Sequence, residues 1–133
     1  MGMEYAYFMS VNVGKGKREL YDPSPEEIDR AINELIPAPY HFVFMQSKAR
    51  VENCDYIQTI IDDDHETLIR YCVEVRFQYT DNYPGDHKQC QLMTTDADNV
   101  KKMFRMFALG IVPNVDGWTD ITEELAEKAK EGS

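Results

Sequence analysis

Long apolar runs are missing from this sequence. The densest, Phe42-Val43-Phe44-Met45, is far short of the roughly 18 residues a membrane-spanning helix needs, so no integral membrane protein is expected. Basic residues are scarce as well: 14 Lys and Arg stand against 24 Asp and Glu in 133 residues, giving a formal charge of −10. Nucleic-acid binding by phosphate neutralisation requires clustered cations, so that function class is excluded. Only three cysteines occur, Cys54, Cys72 and Cys90, with no Cys-x-x-Cys pair. An odd number without short ligand pairs points to reduced thiols and a cytoplasmic location, and away from a disulfide framework or a zinc site. Glu4 and Ser10 interrupt the N-terminal apolar residues and no basic segment precedes them, so no secretory signal is expected.

Catalytic motifs are lacking too. The chain has no Gly-x-Ser-x-Gly, no His-Glu-x-x-His and no Gly-x-Gly-x-x-Gly, the spacings that present a nucleophile, hold a zinc ion or cradle a dinucleotide. Gly14-Lys15-Gly16-Lys17 has glycines and lysines but not the full phosphate-loop pattern, and reads as a flexible basic turn. His41 lies beside an apolar strand and reads as structural, while His65 and His87 fall in or beside loops. Neither a catalytic residue nor a cofactor is assigned.

What is present suffices for one core. A hydrophobic fraction of 43%, including 11% aromatic residues, suits a single domain over residues 1–133. Tyr5 to Val13 alternates as a strand with one richer apolar face. Ser24-Pro25-Glu26-Glu27 carries a capping box with proline in the first turn. Ile28, Ala31, Ile32, Leu35 and Ile36 then form one apolar stripe, closed by Pro37 and Pro39. Further strands are expected over Tyr40–Ser47, Asp55–Ile61, Leu68–Tyr79 and Lys88–Thr94, the third of these alternating Tyr71, Val73, Val75 and Phe77 with Cys72, Glu74 and Arg76. Thr95 or Asp96 caps a second helix with Val100, Met103, Phe104 and Phe107 on one face, and Gly110 stops it. A short C-terminal helix is expected from about Thr122 to Lys130. This order predicts an α+β two-layer sandwich, a five-stranded, mainly antiparallel sheet with two main helices on one face.

Two surfaces draw attention. Asp62-Asp63-Asp64-His65-Glu66 packs four carboxylates around an imidazole. Hard cations favour such oxygens, but the EF-hand glycine and terminal glutamate are not at the right offsets, and no metal site is assigned. As an anionic loop it suits steering of a basic protein. The sheet face away from the helices would present Glu74, Arg76, Gln78, Gln89 and Gln91 side by side.

Phe104-Arg105-Met106-Phe107-Ala108-Leu109-Gly110-Ile111-Val112-Pro113, followed by Val115 and Trp118, resembles the ending of bacterial polymorphic-toxin immunity proteins of the first-numbered immunity family, in which a helix with paired aromatics runs into a small residue, a proline and a tryptophan. Trp118 serves as a family marker, its ring expected to pack the terminal loop onto the sheet or second helix. The resemblance implies a small α+β, non-enzymatic inhibitor that occludes a cognate secreted toxin. Such toxins are often nucleases or nucleobase deaminases with basic surfaces, to which an acidic inhibitor is suited. The candidate partner-binding residues are Asp62, Asp63, Asp64 and Glu66 on the loop and Glu74, Arg76 and Gln78 on the open face. Two other readings remain: a small-ligand or regulatory binding domain using the open sheet face, and an enzyme with a Cys/His or carboxylate site.

Overall fold

A computed structural model describes residues 6–13, 16–37, 41–51, 54–62, 70–78 and 87–122, with backbone alone at 49–51, 78 and 87. The chain order is β1 (Tyr7–Val13), β2 (Gly16–Tyr21), α1 (Pro25–Asn33), β3 (Phe42–Val51), β4 (Cys54–Asp62), β5 (Arg70–Gln78), β6 (His87–Thr94), α2 (Ala97–Ala108) and β7 (Thr119–Asp120). The strands form one sheet in the order β2-β1-β3-β4-β5-β6-β7, antiparallel at every pairing. The α+β class holds, but among the described residues the sheet has seven strands and not the expected five. Both additions are edges. In β2 every residue except Leu20 is exposed, so no apolar alternation marks it. Its pairing comes from the hairpin with β1, in which Gly16 opposes Val13 and takes φ +126°, a conformation glycine adopts without steric cost. Gly16 and Lys17 therefore belong to a strand and not to a flexible turn. β7 is only two residues long. Beyond Thr122 the expected C-terminal helix lies outside the described residues.

One sheet face carries the core. Met9, Met45, Ile57, Val75 and Cys90 stand opposite one another across five strands, and all are buried. The next row is Val11, Val43, Thr59, Val73 and Leu92. Ile28, Ala31, Ile32 and Leu35 of the α1 segment, with Val100, Phe104 and Phe107 of α2, complete this cluster. Each fully buried Leu, Ile or Phe contributes about 1.5–3 kcal/mol, which makes this layer the main source of stability.

The helix ends obey local chemistry. Glu27 N–H donates to Ser24 Oγ at 3.1 Å, and Ser24 N–H to Glu27 Oε1 at 3.0 Å, the reciprocal pattern of the capping box. Asn99 N–H donates to Asp96 Oδ1 at 3.1 Å, making Asp96 the cap of α2. At its far end Gly110 N–H reaches Phe107 O and Ile111 N–H reaches Met106 O, a Schellman closure requiring the positive φ of Gly110. A Cβ at Gly110 would also lie 3.3 Å from Tyr7 Oη. The α1 stripe is shorter than expected: the helix stops at Asn33, and Ile36 is 48% exposed.

Candidate functional site

Strand alternation leaves the second face without a covering helix among the described residues. Its middle row reads Glu19, Ser10, Phe44, Gln58, Glu74 and Gln91 from β2 to β6, and a neighbouring row reads Tyr21, Phe8, Gln46, Tyr56, Arg76 and Gln89. Lys17, Asn12 and Phe42 begin a third. Aromatic side chains therefore crowd the β2–β4 side, and polar ones the β5–β6 side.

The polar side is a bonded network. Gln89, 2% exposed, donates from Nε2 to Glu74 Oε1 at 3.1 Å and to Tyr56 Oη at 3.1 Å. Its backbone N–H donates to Thr122 Oγ1 at 2.9 Å. Arg76 Nε stands 3.9 Å from Asp55 Oδ2. Asp62, the last residue of β4, accepts from Arg70 Nη2. Cys72 sits between these acids, its thiol pushed up to about 12 by burial first and then by Glu74 and Asp62. Burial also raises the Cys90 thiol, with Lys88 opposing. Burial thus disfavours the thiolate, the nucleophilic form, at both cysteines. No metal-holding group of His, Cys, Asp and Glu is found among the described residues, and no helix among them is long and apolar enough to cross a membrane.

Asp62, Glu74 and Arg76 thus share the uncovered face, by alternation along β4 and β5. Asp63, Asp64 and Glu66 lie outside the described residues. Gln78 ends β5 opposite His87, its side chain undescribed. The acidic residues around α1 belong elsewhere. Asp29 pairs with Arg105 of α2 at 2.9 Å and Glu34 with Arg18 of β2 at 2.8 Å. Asp22 accepts the N–H groups of Ala6 and Tyr7, and Glu27 closes its own cap. These carboxylates hold the fold together on the helix side, apart from the face that Asp62, Glu74 and Arg76 share.

Sequence reasoning missed the aromatic half. Phe42-Val43-Phe44-Met45 reads as one buried strand, whereas only Val43 and Met45 enter the core and Phe42 and Phe44 are half-buried on the other face. Phe8 stacks against Tyr21 with centroids 5.7 Å apart, and Phe44 against Tyr56 at 5.0 Å. Phe8, Ser10, Lys17, Phe42, Phe44 and Gln58 line a hollow of about 270 Å³. The signal was an unbroken apolar run where one-sided burial demands alternation.

Trp118 packs against the core from the loop after α2. Phe104 and Phe107 are buried under the sheet, with Phe107 edge-on to Tyr7 at 5.7 Å. Phe104, Phe107 and Trp118, the aromatic residues that carry the resemblance, therefore serve packing. Comparison with protein-family models, curated proteins and solved structures finds no match.

Proposed function

We propose that the chain is a binding protein of the immunity type, which docks a cognate secreted bacterial toxin through its uncovered sheet face and blocks it by occlusion. The observation that carries this reading is the composition of that face. Half-buried Phe8, Phe42, Phe44 and Tyr56 lie between Lys17 and Glu19 on one side and Glu74 and Arg76 on the other. An apolar aromatic centre with a charged rim is the anatomy of a protein-binding patch.

Electrostatics supports a basic partner at long range. The net charge of −10 speeds encounter with a cationic surface, such as that of a nuclease or nucleobase deaminase. At short range the described rim carries charges of both signs, so aromatic anchoring supplies the affinity and Glu74 and Arg76 set register. Asp62 and the acidic residues that follow it act in steering, and the inhibited complex forms in the cytoplasm.

Inspection of the neighbouring gene for a secreted toxin, and co-expression with the toxin domain it encodes, test the reading. Protection of cells and a stable complex are expected, with Phe44→Ala raising the dissociation rate and Glu74→Lys lowering the association rate. An unprotected host and no complex with the purified toxin domain overturn the proposal.

A further inference from the structure

We infer that the hollow beside β2 binds a small aromatic carboxylate. This goes beyond toxin docking: it uses the same aromatic rings and Lys17, and adds the unmet Ser10 hydroxyl and the hollow that the rings leave between them.

The walls are phenyl rings already held in place. Phe8 is braced by Tyr21 at 43° and Phe44 by Tyr56 at 40°, while Phe42 closes the same hollow from the start of β3. Rings fixed by neighbours need no ordering when a flat apolar ligand enters, which favours binding by preorganisation. The volume of about 270 Å³ lies just under the usual range for drug-sized ligands, about 300–1,000 Å³, and selects a single small ring.

Two polar groups at the hollow have unmet requirements. Ser10, on the strand row between Glu19 and Phe44, is 4% exposed, and its Oγ is buried without a hydrogen-bond partner. Buried hydroxyls are normally satisfied, so an unmet one among the residues lining a cavity is a position that a water or a ligand atom would satisfy. Lys17, opposite Asn12 on β2, lines the same cavity and enters none of the ion pairs formed by the described acids. The acid on its own strand face, Glu19, instead accepts from Tyr21 Oη at 3.4 Å. A free ammonium at an apolar hollow recognises one negative charge, and in a chain of charge −10 it is a selective feature. Gln58, opposite Phe44, adds an amide able to donate or accept. The ligand defined by these groups has a flat ring between the phenylalanines, a carboxylate at Lys17 and a ring substituent able to bond the Ser10 hydroxyl.

Titration of the full chain with para-hydroxybenzoate, followed by amide chemical shifts, tests this directly. Saturable shifts confined to β1, β2 and the Phe42–Phe44 stretch are expected. The neutral analogue para-hydroxybenzamide, and the variant Lys17→Met titrated with the acid, should each bind about fivefold more weakly, the upper range for one partly exposed ion pair. Ser10→Ala should erase the preference for para-hydroxybenzoate over benzoate. Absence of saturable shifts, shifts centred elsewhere, equal affinity for acid and amide, or tighter binding of hexanoate than of the aromatic acids would each overturn the assignment. The acid and amide comparison uses the unaltered protein and does not depend on any variant folding.

Discussion

The two faces of the sheet are cut from the same strands, and they solve burial differently. On the helix side every inward residue of β1 meets a side chain from α1, α2 or a neighbouring strand, and Met9 and Val11 are fully enclosed. On the other side Ser10, Cys72 and Gln89 are also buried, yet no described helix covers them. Their neighbours do it, with aromatic rings at one end and the Tyr56–Gln89–Glu74 network at the other. Burial on the first face reflects apolar packing and sets stability, whereas burial on the second leaves a partly open surface with an unmet hydroxyl. The contrast teaches that an uncovered face need not be a solvated one.

The largest expected effect separates the faces by truncation. Phe104→Ala, deep in the core, should cost about 3–5 kcal/mol in urea unfolding. Phe44→Ala, half-buried on the other face, should cost about 1 kcal/mol, with its main consequence in binding. Equal losses would mean that the uncovered face is a second core. A finer comparison concerns two buried hydroxyls. Thr59 Oγ1 donates to Cys72 O at 3.0 Å, so Thr59→Val should lower stability by about 1 kcal/mol. Ser10 Oγ has no partner, so Ser10→Ala should leave the ligand-free protein unchanged or slightly more stable by the same unfolding assay. A loss at Ser10 matching that at Thr59 would reveal a bond to its hydroxyl.

The smallest effect is a pH dependence. The thiol of Cys72 is raised from 9.0 to about 12 in the folded state. The stability gained from keeping it neutral is fully present below about pH 9 and is lost as pH rises from there through the folded value, because the unfolded thiol ionises first. Tyr7 and Tyr71, both raised by burial, add to the same alkaline limb. Cys72→Ser should flatten that limb in unfolding midpoints measured above pH 9. An unchanged slope would show that this thiol ionises equally well in both states.

Local chemistry was legible and pairwise chemistry was not. The α1 cap could be read because Ser24 and Glu27 satisfy each other within one turn, and the same holds for Asp96 and Gly110 at the ends of α2. The covered face could be read from the alternation of β5. β2 could not, because Lys17, Arg18 and Glu19 gain strand geometry only by pairing with Asn12, Val11 and Ser10. Nor could the aromatic half, since four consecutive apolar residues do not announce which two face the helices. The pattern places Gln89 on the open face, and only Tyr56 and Glu74, brought alongside by neighbouring strands, explain why it is buried.

The order of the strands also governs how the chain reaches this state. Apart from the contact of β1 with β3, each strand lies beside its predecessor in the chain, so most of the sheet assembles from successive hairpins with little loop-closure entropy to overcome at each step. Pairings such as Cys54 with Phe77 are nevertheless non-local, so the sheet should fold in the slower range typical of strand-rich domains. The β1–β3 junction, which must wait for β2 and α1 to be laid down between its partners, is the step on which the folding rate should chiefly depend.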